Sequence, residues 1–240
     1  MKVALITGGA KRIGRAIAES LHEAGFFILL HYSTSEKTAK QLAQSLEEQR
    51  PNSVHLLQGD LSDEGALQRL CEEVKLRVDR LDVLVNNAST FYPNQTTSFE
   101  SEAWHQLVDV NLKAPYQLST SLQSLLEKHN GCIINMIDIH ANSPLAEHSI
   151  YCTSKAGLAM LTKSLAKEFA PKIRVNGIAP GAILWPEKEL DQAQKEFILA
   201  EIPMHRLGST DDIVHTVQFL VNQAPYITGQ IIAVDGGRSL

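Results

Sequence analysis

Tyr151 and Lys155 are the side chains in this sequence whose types and spacing most directly suggest chemistry. Residues four apart lie on the same face of a helix, one turn from each other. A positive charge beside a phenol favours the phenolate, so we expect Lys155 to lower the pKa of Tyr151 and to make its hydroxyl a usable general acid or base. The motif alone is weak evidence, because an ordinary surface pair on a helix has the same spacing.

A turn containing glycines precedes the first predicted helix. It has the sequence TGGAKRIG over Thr7–Gly14 and follows the apolar run Val3–Ile6. Glycines at a strand-to-helix turn let the backbone approach a pyrophosphate, which then lies against the N-terminus of the helix. The turn therefore predicts a dinucleotide site that includes Gly8, Arg12, Ile13 and Gly14.

The end of the second apolar run indicates which dinucleotide is bound. NAD-binding chains usually place Asp or Glu there to bind the ribose 2′-hydroxyl, whereas this chain has His31, Tyr32 and Ser33 and no acid before Glu36. No carboxylate repels a 2′-phosphate, and Arg12 offers a fork of donors that suits one, with His31 and Ser33 as further donors. We therefore expect NADPH rather than NADH. The alternative that Arg12 and His31 are ordinary surface residues stays open.

Two polar segments follow the third and fourth apolar runs, where ligands bind in open α/β sheets. Asp60 and Leu61 follow the third run, and Asn87 and Ala88 follow the fourth. The carboxylate of Asp60 could accept a hydrogen bond from the adenine amino group or, equally well, cap the chain ahead of Ser62. The asparagines could bind the cofactor or form a simple turn.

Apolar runs alternate with amphipathic stretches of helix length along the chain. The predicted strands are Val3–Ile6, Phe26–His31, Val54–Gln58, Leu81–Val85, Cys132–Ile137, Arg174–Ile178 and Gln230–Val234. The predicted helices are Arg12–Ala24, Glu36–Gln49, Glu64–Arg77, Ser101–Leu126 with a possible kink at Pro115, the helix carrying Tyr151, and Asp211–Val221. This alternation predicts a doubly wound α/β fold, a parallel sheet with helices on both faces, in one domain over residues 1–240. The longest irregular segment, 179–209, is expected to form a substrate lid, with Leu184 and Trp185 in its apolar wall.

Composition narrows the class of protein. The 240 residues include 44% hydrophobic residues and carry a net charge of −5 without a basic stripe, so nucleic acid is an unexpected partner. The three cysteines are odd in number and lack metal-ligand spacing, so we expect a reduced intracellular compartment, no disulfide framework and no metal site. The first apolar run is too short for a signal peptide, and no run reaches the ~18 residues of a membrane span. We expect a soluble cytoplasmic protein.

The order and spacing of these motifs resemble the short-chain dehydrogenase/reductase family over essentially the whole chain. The matching motifs are Thr7–Gly14, Asn86-Asn87-Ala88, Asn111, Tyr151-x-x-x-Lys155, Pro180-Gly181 and the closing Asp235-Gly236-Gly237. The resemblance implies a single Rossmann-type domain with a seven-stranded sheet, assembled as a homotetramer or dimer. It also implies that Tyr151 transfers a proton, that Lys155 binds the nicotinamide ribose and lowers the pKa of Tyr151, and that Asn111 holds a water in the proton path. Pro180 and Gly181 would contact the cofactor.

Two departures from the usual family pattern resemble the pteridine reductases within that family. Arg12 stands where most members have glycine, and Asp138 replaces the usual serine thirteen residues before Tyr151. In the pteridine reductases the arginine, the histidine and a nearby serine, here Ser33 or Ser35, recognise NADPH. The serine after Asn-Asn-Ala and the phenylalanine two residues later bind the pterin. The resemblance thus gives pterin-binding roles to Ser89 and Phe91.

The residue types suit a pterin on chemical grounds as well. A phenylalanine at a strand mouth can stack on a flat, electron-poor bicycle, which is worth about 0.5–1.5 kcal/mol beyond the area buried. A serine only donates a hydrogen bond to a carbonyl, whereas the carboxyl group of Asp138 can carry a proton toward a ring nitrogen. The alternative for Asp138 is an ordinary loop aspartate.

We therefore expect NADPH-dependent reduction of a dihydropterin, with Tyr151, Asp138, Lys155 and Asn111 as the catalytic set. The sequence does not separate dihydrofolate, dihydrobiopterin and dihydromonapterin as substrates. The first alternative is a 3-oxoacyl thioester reductase of the same family. The second is a non-catalytic NADPH-binding sensor.

Overall fold

A parallel sheet forms the centre of the molecule. The computed structural model describes residues 1–185 and 190–240. The strands are β1 (Val3–Ile6), β2 (Phe27–Tyr32), β3 (Val54–Gln58), β4 (Val83–Asn86), β5 (Cys132–Met136), β6 (Arg174–Pro180) and β7 (Ile231–Val234). Within the described residues these seven strands pair in the order β3-β2-β1-β4-β5-β6-β7, all parallel. The fold class is therefore the doubly wound α/β fold that the sequence predicts.

Helices cover both faces of the sheet because the strands are apolar on both sides. They are α1 (Arg12–Glu23), α2 (Glu36–Gln49), α3 (Glu64–Arg77), α4 (Ser101–Val108), α5 (Ala114–Ser121), α6 (Gln123–Glu127), α7 (Ser149–Glu168), α8 (Gln192–Ala200) and α9 (Thr210–Asn222). One buried apolar cluster joins the sheet to α1, α2 and α9, and a second joins its other face to α3, α5, α6 and α7.

The strand order reverses between β1 and β4, which places the two loops after these strands side by side. The backbone N–H of Thr7 donates to the carbonyl of Val85 over 3.0 Å, so β1 and β4 stay paired to their carboxyl ends. In open α/β sheets the crevice at such a reversal is where ligands bind. The glycine turn and the Asn87 loop lie at this position.

The predicted helical region over 101–126 is helical in the structure, but it is not one regular helix. The chain forms α4, then a π-helical turn over Asp109–Lys113, and then the short helices α5 and α6. Pro115 lies in the first turn of α5, directly after the π-helical turn. The wide π-helical turn ahead of it is the kind of local defect that is common at functional sites, and it contains Asn111.

The predicted irregular segment over 179–209 also contains a helix. α8 begins at a capping box in which Asp191 and Gln194 bond each other's backbone N–H groups. None of the described residues of α8 is buried, and the chain becomes buried again only at Ile202, after the helix ends. Residues 186–189 of the predicted lid lie outside the described residues.

The described residues also show the state of the cysteines, the lengths of apolar helices and the arrangement of metal-ligating side chains. Cys71, Cys132 and Cys152 are all buried and unpaired. None of the helices in the described part of the chain is long and apolar enough to cross a bilayer. Residues 1–185 and 190–240 contain no cluster of three or more His, Cys, Asp or Glu side chains arranged to hold a metal ion.

Candidate active site

Tyr151, Lys155 and Asp138 meet at the carboxyl end of β5. The first two lie in the N-terminal half of α7, where both are buried. The hydroxyl of Tyr151 donates to Oδ2 of Asp138 over 2.7 Å. Nζ of Lys155 donates to the main-chain oxygen of Met136 over 2.9 Å and lies 5.7 Å from the centre of the Tyr151 ring. The predicted pair is thus a buried site that includes a carboxyl group.

Asp138 has two roles, one for each oxygen. Its Oδ1 accepts from the backbone N–H of His140 over 2.8 Å and caps the 3₁₀ turn Ile139–Ala141. Its Oδ2 faces the Tyr151 hydroxyl. The loop aspartate that the sequence offers as an alternative is therefore present, and the cap leaves the second oxygen available to the tyrosine.

Electrostatics at this site keep a proton on Tyr151. Burial raises the pKa of Tyr151 far above its ordinary value, and the charge and hydrogen bond of Asp138 raise this pKa further. Burial lowers the pKa of Lys155 to about 8, against the opposing effect of the Asp138 charge. The prediction that the pKa of Tyr151 is lowered is wrong in this arrangement, because burial and then the carboxylate of Asp138 both raise it. A protonated Tyr151 is the form that a reductase needs as a proton donor.

The side chain of Asn111 is fully engaged by neighbouring protein groups. Its Oδ1 accepts from the Ser89 hydroxyl over 2.9 Å and from the backbone N–H of Thr90 over 3.0 Å. Its Nδ2 donates to the carbonyl of Thr90 over 3.0 Å and to the hydroxyl of Ser154 over 3.2 Å. These bonds use both amide hydrogens and two lone pairs. The side chain thus ties the loop after β4 to α7, and as placed it leaves no donor for the expected water.

Phe91 lies beside the predicted catalytic tyrosine on an open surface. Its side chain is 56% exposed, and its ring packs edge-to-face on Tyr151 with the ring centres 4.8 Å apart. The ring also stacks on His148 at 4.6 Å, with only 12° between the two planes. Phe91 therefore has the location expected of a substrate-stacking residue. His148 is absent from the sequence-based prediction, although its place three residues before Tyr151 put it near the site.

A groove beside this site matches the predicted dinucleotide location. It encloses about 440 Å³ between the glycine turn and the carboxyl ends of β2, β3 and β4. The predicted residues on its wall are Gly8, Arg12, Ile13, Gly14, His31, Tyr32, Ser33, Asp60, Leu61, Asn87, Ala88 and Ser89. Ser35, the alternative to Ser33 in the sequence-based prediction, is also on the wall, whereas Lys11, Thr34 and Thr90 are wall residues that the prediction omits.

The glycine turn is packed too closely for a larger residue at Gly14. A Cβ added there would lie 2.3 Å from the carbonyl oxygen of Gly8 and 2.5 Å from Nδ2 of Asn87. The amide of Asn87 holds the turn in place by donating to the carbonyls of Thr7 and Gly8 over 2.9 and 3.1 Å. The asparagine pair is thus more than a simple turn, because it joins β4 to the glycine turn of β1.

Gly14→Ala is expected to lower the free energy of unfolding by about 2–3 kcal/mol, because a methyl group would have to displace backbone atoms. Gly59→Ala is the matched control, since an added Cβ there meets nothing closer than 3.5 Å. We expect the control to change stability by less than ~1 kcal/mol. Urea unfolding of both variants measures the difference, and equal midpoints would contradict the close packing at Gly14.

His31 does not supply the donor to a 2′-phosphate that the sequence predicts. The side chain is buried, with Nδ1 3.1 Å from the backbone N–H of Gly8 and Nε2 3.0 Å from the carbonyl of Gly59. A neutral ring accepts at Nδ1 and donates at Nε2, which uses both nitrogens. Burial lowers the pKa of His31 to about 4, against an opposing hydrogen bond to Gly59. His31 therefore connects the glycine turn to the end of β3.

His31 is expected to make the protein less stable as the pH falls from about 6.5 to about 4. In that window the unfolded chain binds a proton on His31 that the folded chain does not, so the free energy of unfolding falls with pH, by about 3 kcal/mol in total. His31→Gln keeps an amide donor and acceptor but removes this titration. Denaturant unfolding at several pH values should therefore give a flatter curve for His31→Gln than for wild type. His215→Gln, on the exposed side of α9, is the control, and equal slopes in wild type and His31→Gln would contradict the assignment.

Arg12 crosses the mouth of the groove. Its backbone has a φ of 51°, in the left-handed region that favours the glycine usual in this position. Nη2 donates to the main-chain oxygen of Trp185 over 3.1 Å and lies 3.5 Å from that of Leu184. The segment expected to form the substrate wall thus contacts the glycine turn through its backbone.

Asp60 and Pro180-Gly181 are held mainly by neighbouring backbone. Oδ1 of Asp60 accepts from both the N–H and the hydroxyl of Ser62, as the capping alternative predicts, while the residue still lines the groove. The backbone N–H of Gly181 donates to the carbonyl of Val234 over 3.0 Å, so the end of β6 is held against β7.

The residues present fit a phosphate-bearing dinucleotide. The N-cap of α1 is Lys11, whose side chain cannot accept a hydrogen bond, so no side chain caps the first N–H groups of this helix. Free N–H groups at a helix N-terminus bind phosphate. Lys155 is buried, and its ammonium has three N–H groups. Among the described residues it donates one hydrogen bond, to the carbonyl of Met136.

Comparisons with known proteins agree with this geometry. A family model described as "Enoyl-(Acyl carrier protein) reductase" matches residues 8–239. The chain is 37% identical to the 3-oxoacyl-(acyl-carrier-protein) reductase FabG of Haemophilus influenzae, over 100% of the chain and 98% of that relative. It is 35% identical to the FabG of Aquifex aeolicus, over 98% of the chain and 96% of the relative. It is also 34% identical to Pteridine reductase 1 of Leishmania tarentolae, over 99% of the chain and 96% of the relative.

Proposed function

The chain belongs to the short-chain dehydrogenase/reductase family of nicotinamide-dinucleotide-dependent oxidoreductases, and within it we propose that the protein reduces dihydropterins to tetrahydropterins with NADPH. The observation that carries the proposal is the 2.7 Å hydrogen bond between the Tyr151 hydroxyl and Asp138. Reducing a carbon–nitrogen double bond requires a hydride at carbon and a proton at nitrogen. A phenol bonded to a carboxylate is a two-residue path for that proton.

The preference for NADPH over NADH rests on charge. No carboxylate ends β2, while Lys11 and Arg12 lie on the groove wall near Ser33 and Ser35. Cations and hydroxyls at this place favour a 2′-phosphate. NADPH, when bound, supplies the hydride. The N-terminal turn of α1 would hold its pyrophosphate and Lys155 its nicotinamide ribose.

The remaining residues orient the substrate and keep the proton in place. Phe91 stacks on the flat bicycle, and the Ser89 hydroxyl, fixed by Asn111, meets its polar edge. Tyr151 holds its proton because burial and Asp138 both raise its pKa. Tyr151 gives its proton to the ring nitrogen either directly or through the Asp138 carboxylate, and the charge of Lys155 stabilises the phenolate left behind.

Reduction of a 3-oxoacyl thioester is the second candidate, and the comparisons favour it over the first. The matching family model is described as an enoyl-(acyl-carrier-protein) reductase, and the relatives from Haemophilus influenzae and Aquifex aeolicus are 3-oxoacyl-(acyl-carrier-protein) reductases. The identity to a pteridine reductase is nevertheless nearly the same, 34% against 37%. Asp138 argues for the pterin, because a carboxylate beside a developing alkoxide is unfavourable.

Comparing the turnover of two substrates tests the proposal. NADPH oxidation by the purified protein would be followed with a dihydropterin and with an acetoacetyl thioester at equal concentrations. Turnover of the dihydropterin alone supports the pteridine reductase function. Turnover of the thioester alone overturns it in favour of the second candidate. Bound NADPH without turnover of either substrate would indicate a sensor.

We also propose that the protein assembles as a homotetramer. Helices α5 and α7 leave the large side chains of Tyr116 and Met160 exposed, by 51% and 62%. Exposed apolar side chains on neighbouring helices favour contact with another subunit. Light scattering coupled to size-exclusion chromatography would give four times the chain mass of 26.5 kDa. A mass of one chain would contradict the proposal.

A further inference from the structure

Three aromatic rings pack in a row at the mouth of the site. The imidazole of His148 stacks on Phe91 at 4.6 Å and 12°, and the Phe91 ring in turn meets Tyr151 edge-to-face at 79°. A parallel stack covers one face of Phe91, yet the side chain remains 56% exposed. The rest of the Phe91 ring is therefore open to a ligand beside Tyr151.

Hydrogen bonds of Asn94 hold the two ends of this row of rings at a fixed distance. Asn94, a buried residue three positions after Phe91, bonds the Ser149 hydroxyl over 3.0 Å and the backbone N–H of Ile150 over 3.1 Å. Its own N–H donates to the carbonyl of Glu147 over 2.7 Å. The loop carrying Phe91 is thus joined to the start of α7 on both sides of His148, so the stack is not needed to hold the loop in place.

The imidazole itself is anchored at one edge. Its Nδ1 lies 2.8 Å from the carbonyl of Ala146, and His148 is the N-cap residue of α7 without a side-chain bond to the helix. The ring therefore does not serve as a helix cap. Among the described residues the imidazole contacts one backbone carbonyl and the face of Phe91, which indicates that its role is to orient Phe91.

We propose that His148 is a positioning residue that fixes the plane of Phe91 and thereby selects flat heterocycles over flexible acyl chains. A ring stacked on His148 keeps a constant angle to Tyr151, which suits a planar substrate. A ring free to rotate would accommodate an acyl chain equally well. This inference rests on the proposed function, because only a planar substrate gains from a fixed stacking plane.

His148→Ala and His148→Phe test the proposal, with exposed His215→Ala as the control. His148→Ala is expected to raise the KM for dihydropterin roughly five- to tenfold with kcat changed less than about twofold. His148→Phe restores the stack without a nitrogen and should return KM to the wild-type value. Any residual turnover of acetoacetyl thioester should be the same in wild type and in every variant. A merely structural role would instead lower the melting temperature and affect both substrates.

Binding separates failure of this inference from failure of the proposed function. The dissociation constant of biopterin would be measured by fluorescence on the NADP⁺-loaded wild type and on both His148 variants. If wild type reduces dihydropterin and His148→Ala matches it in KM and in biopterin affinity, the positioning role is overturned and the function stands. If wild type neither binds biopterin nor reduces dihydropterin, both are overturned together.

Discussion

Tyr151→Phe is expected to lower kcat for dihydropterin reduction at least ~10³-fold, because general acid catalysis by a positioned group contributes up to about 10⁴-fold. The substitution removes only the hydroxyl, and the phenyl ring keeps its edge-to-face contact with Phe91. Stopped-flow and steady-state NADPH oxidation would measure the loss. The affinity for NADPH, measured by its fluorescence on binding, should change less than about threefold.

Tyr92→Phe provides a matched control for this loss. Its hydroxyl bonds the carbonyl of Ala103 and the amide oxygen of Gln106, outside the cluster around Lys155. The same atom is therefore removed without touching the proton path, and kcat should stay within about twofold. A Tyr151→Phe variant that keeps more than a tenth of the wild-type kcat would show that the proton comes from another group.

Asp138→Asn is expected to lower kcat for the dihydropterin by ~10²–10³-fold, because an amide cannot carry the proton that a carboxyl group carries. The amide oxygen can still accept from His140 and keep the 3₁₀ turn capped. Removing the carboxylate also removes one of the causes that raise the pKa of Tyr151, after burial, so this pKa should be lower in the variant than in wild type. Rate–pH profiles of wild type and variant measure both effects.

Asp63→Asn is the control for a lost capping charge. Asp63 caps α3 by accepting a hydrogen bond from the backbone N–H of Ala66, and it takes no part in the proposed proton path. Its variant should keep the wild-type kcat and pH profile. If Asp138→Asn behaved like Asp63→Asn, Asp138 would be a capping residue only, and the distinction from a carbonyl reductase would lose its basis.

The sheet and the glycine turn can be predicted from the sequence because their signals are local. Apolar runs bounded by glycine and polar residues fix the strands, and the predicted helices over Glu36–Gln49 and Glu64–Arg77 have the bounds seen in the structure. The tight approach of Gly14 to the backbone of Gly8 follows from the same motif. Asp138 and Tyr151 come together because one lies in the loop after β5 and the other in α7, the next long helix of the chain.

The parts that sequence does not predict depend on contacts between distant segments. Asn111, in the π-helical turn, forms side-chain hydrogen bonds with Ser89 and Ser154 that no local sequence pattern predicts. The role of His31 depends on its burial between two turns, and the raised pKa of Tyr151 depends on a carboxylate that folding brings to 2.7 Å. Burial and distance are products of the whole fold, so residue type alone gave the wrong sign for the pKa of Tyr151.

The most direct test of the central claim is the ratio of kcat/KM for dihydropterin to that for acetoacetyl thioester, measured with NADPH in wild type and in Asp138→Ser. The serine variant places the usual family residue beside Tyr151 and leaves Lys155 and the cofactor groove unchanged. We expect a ratio well above one in wild type and a fall of at least ~100-fold in the variant, mainly through loss of dihydropterin turnover. A wild-type ratio below one, or a ratio that Asp138→Ser does not change, would contradict the claim that this carboxyl group makes the site a pterin reductase.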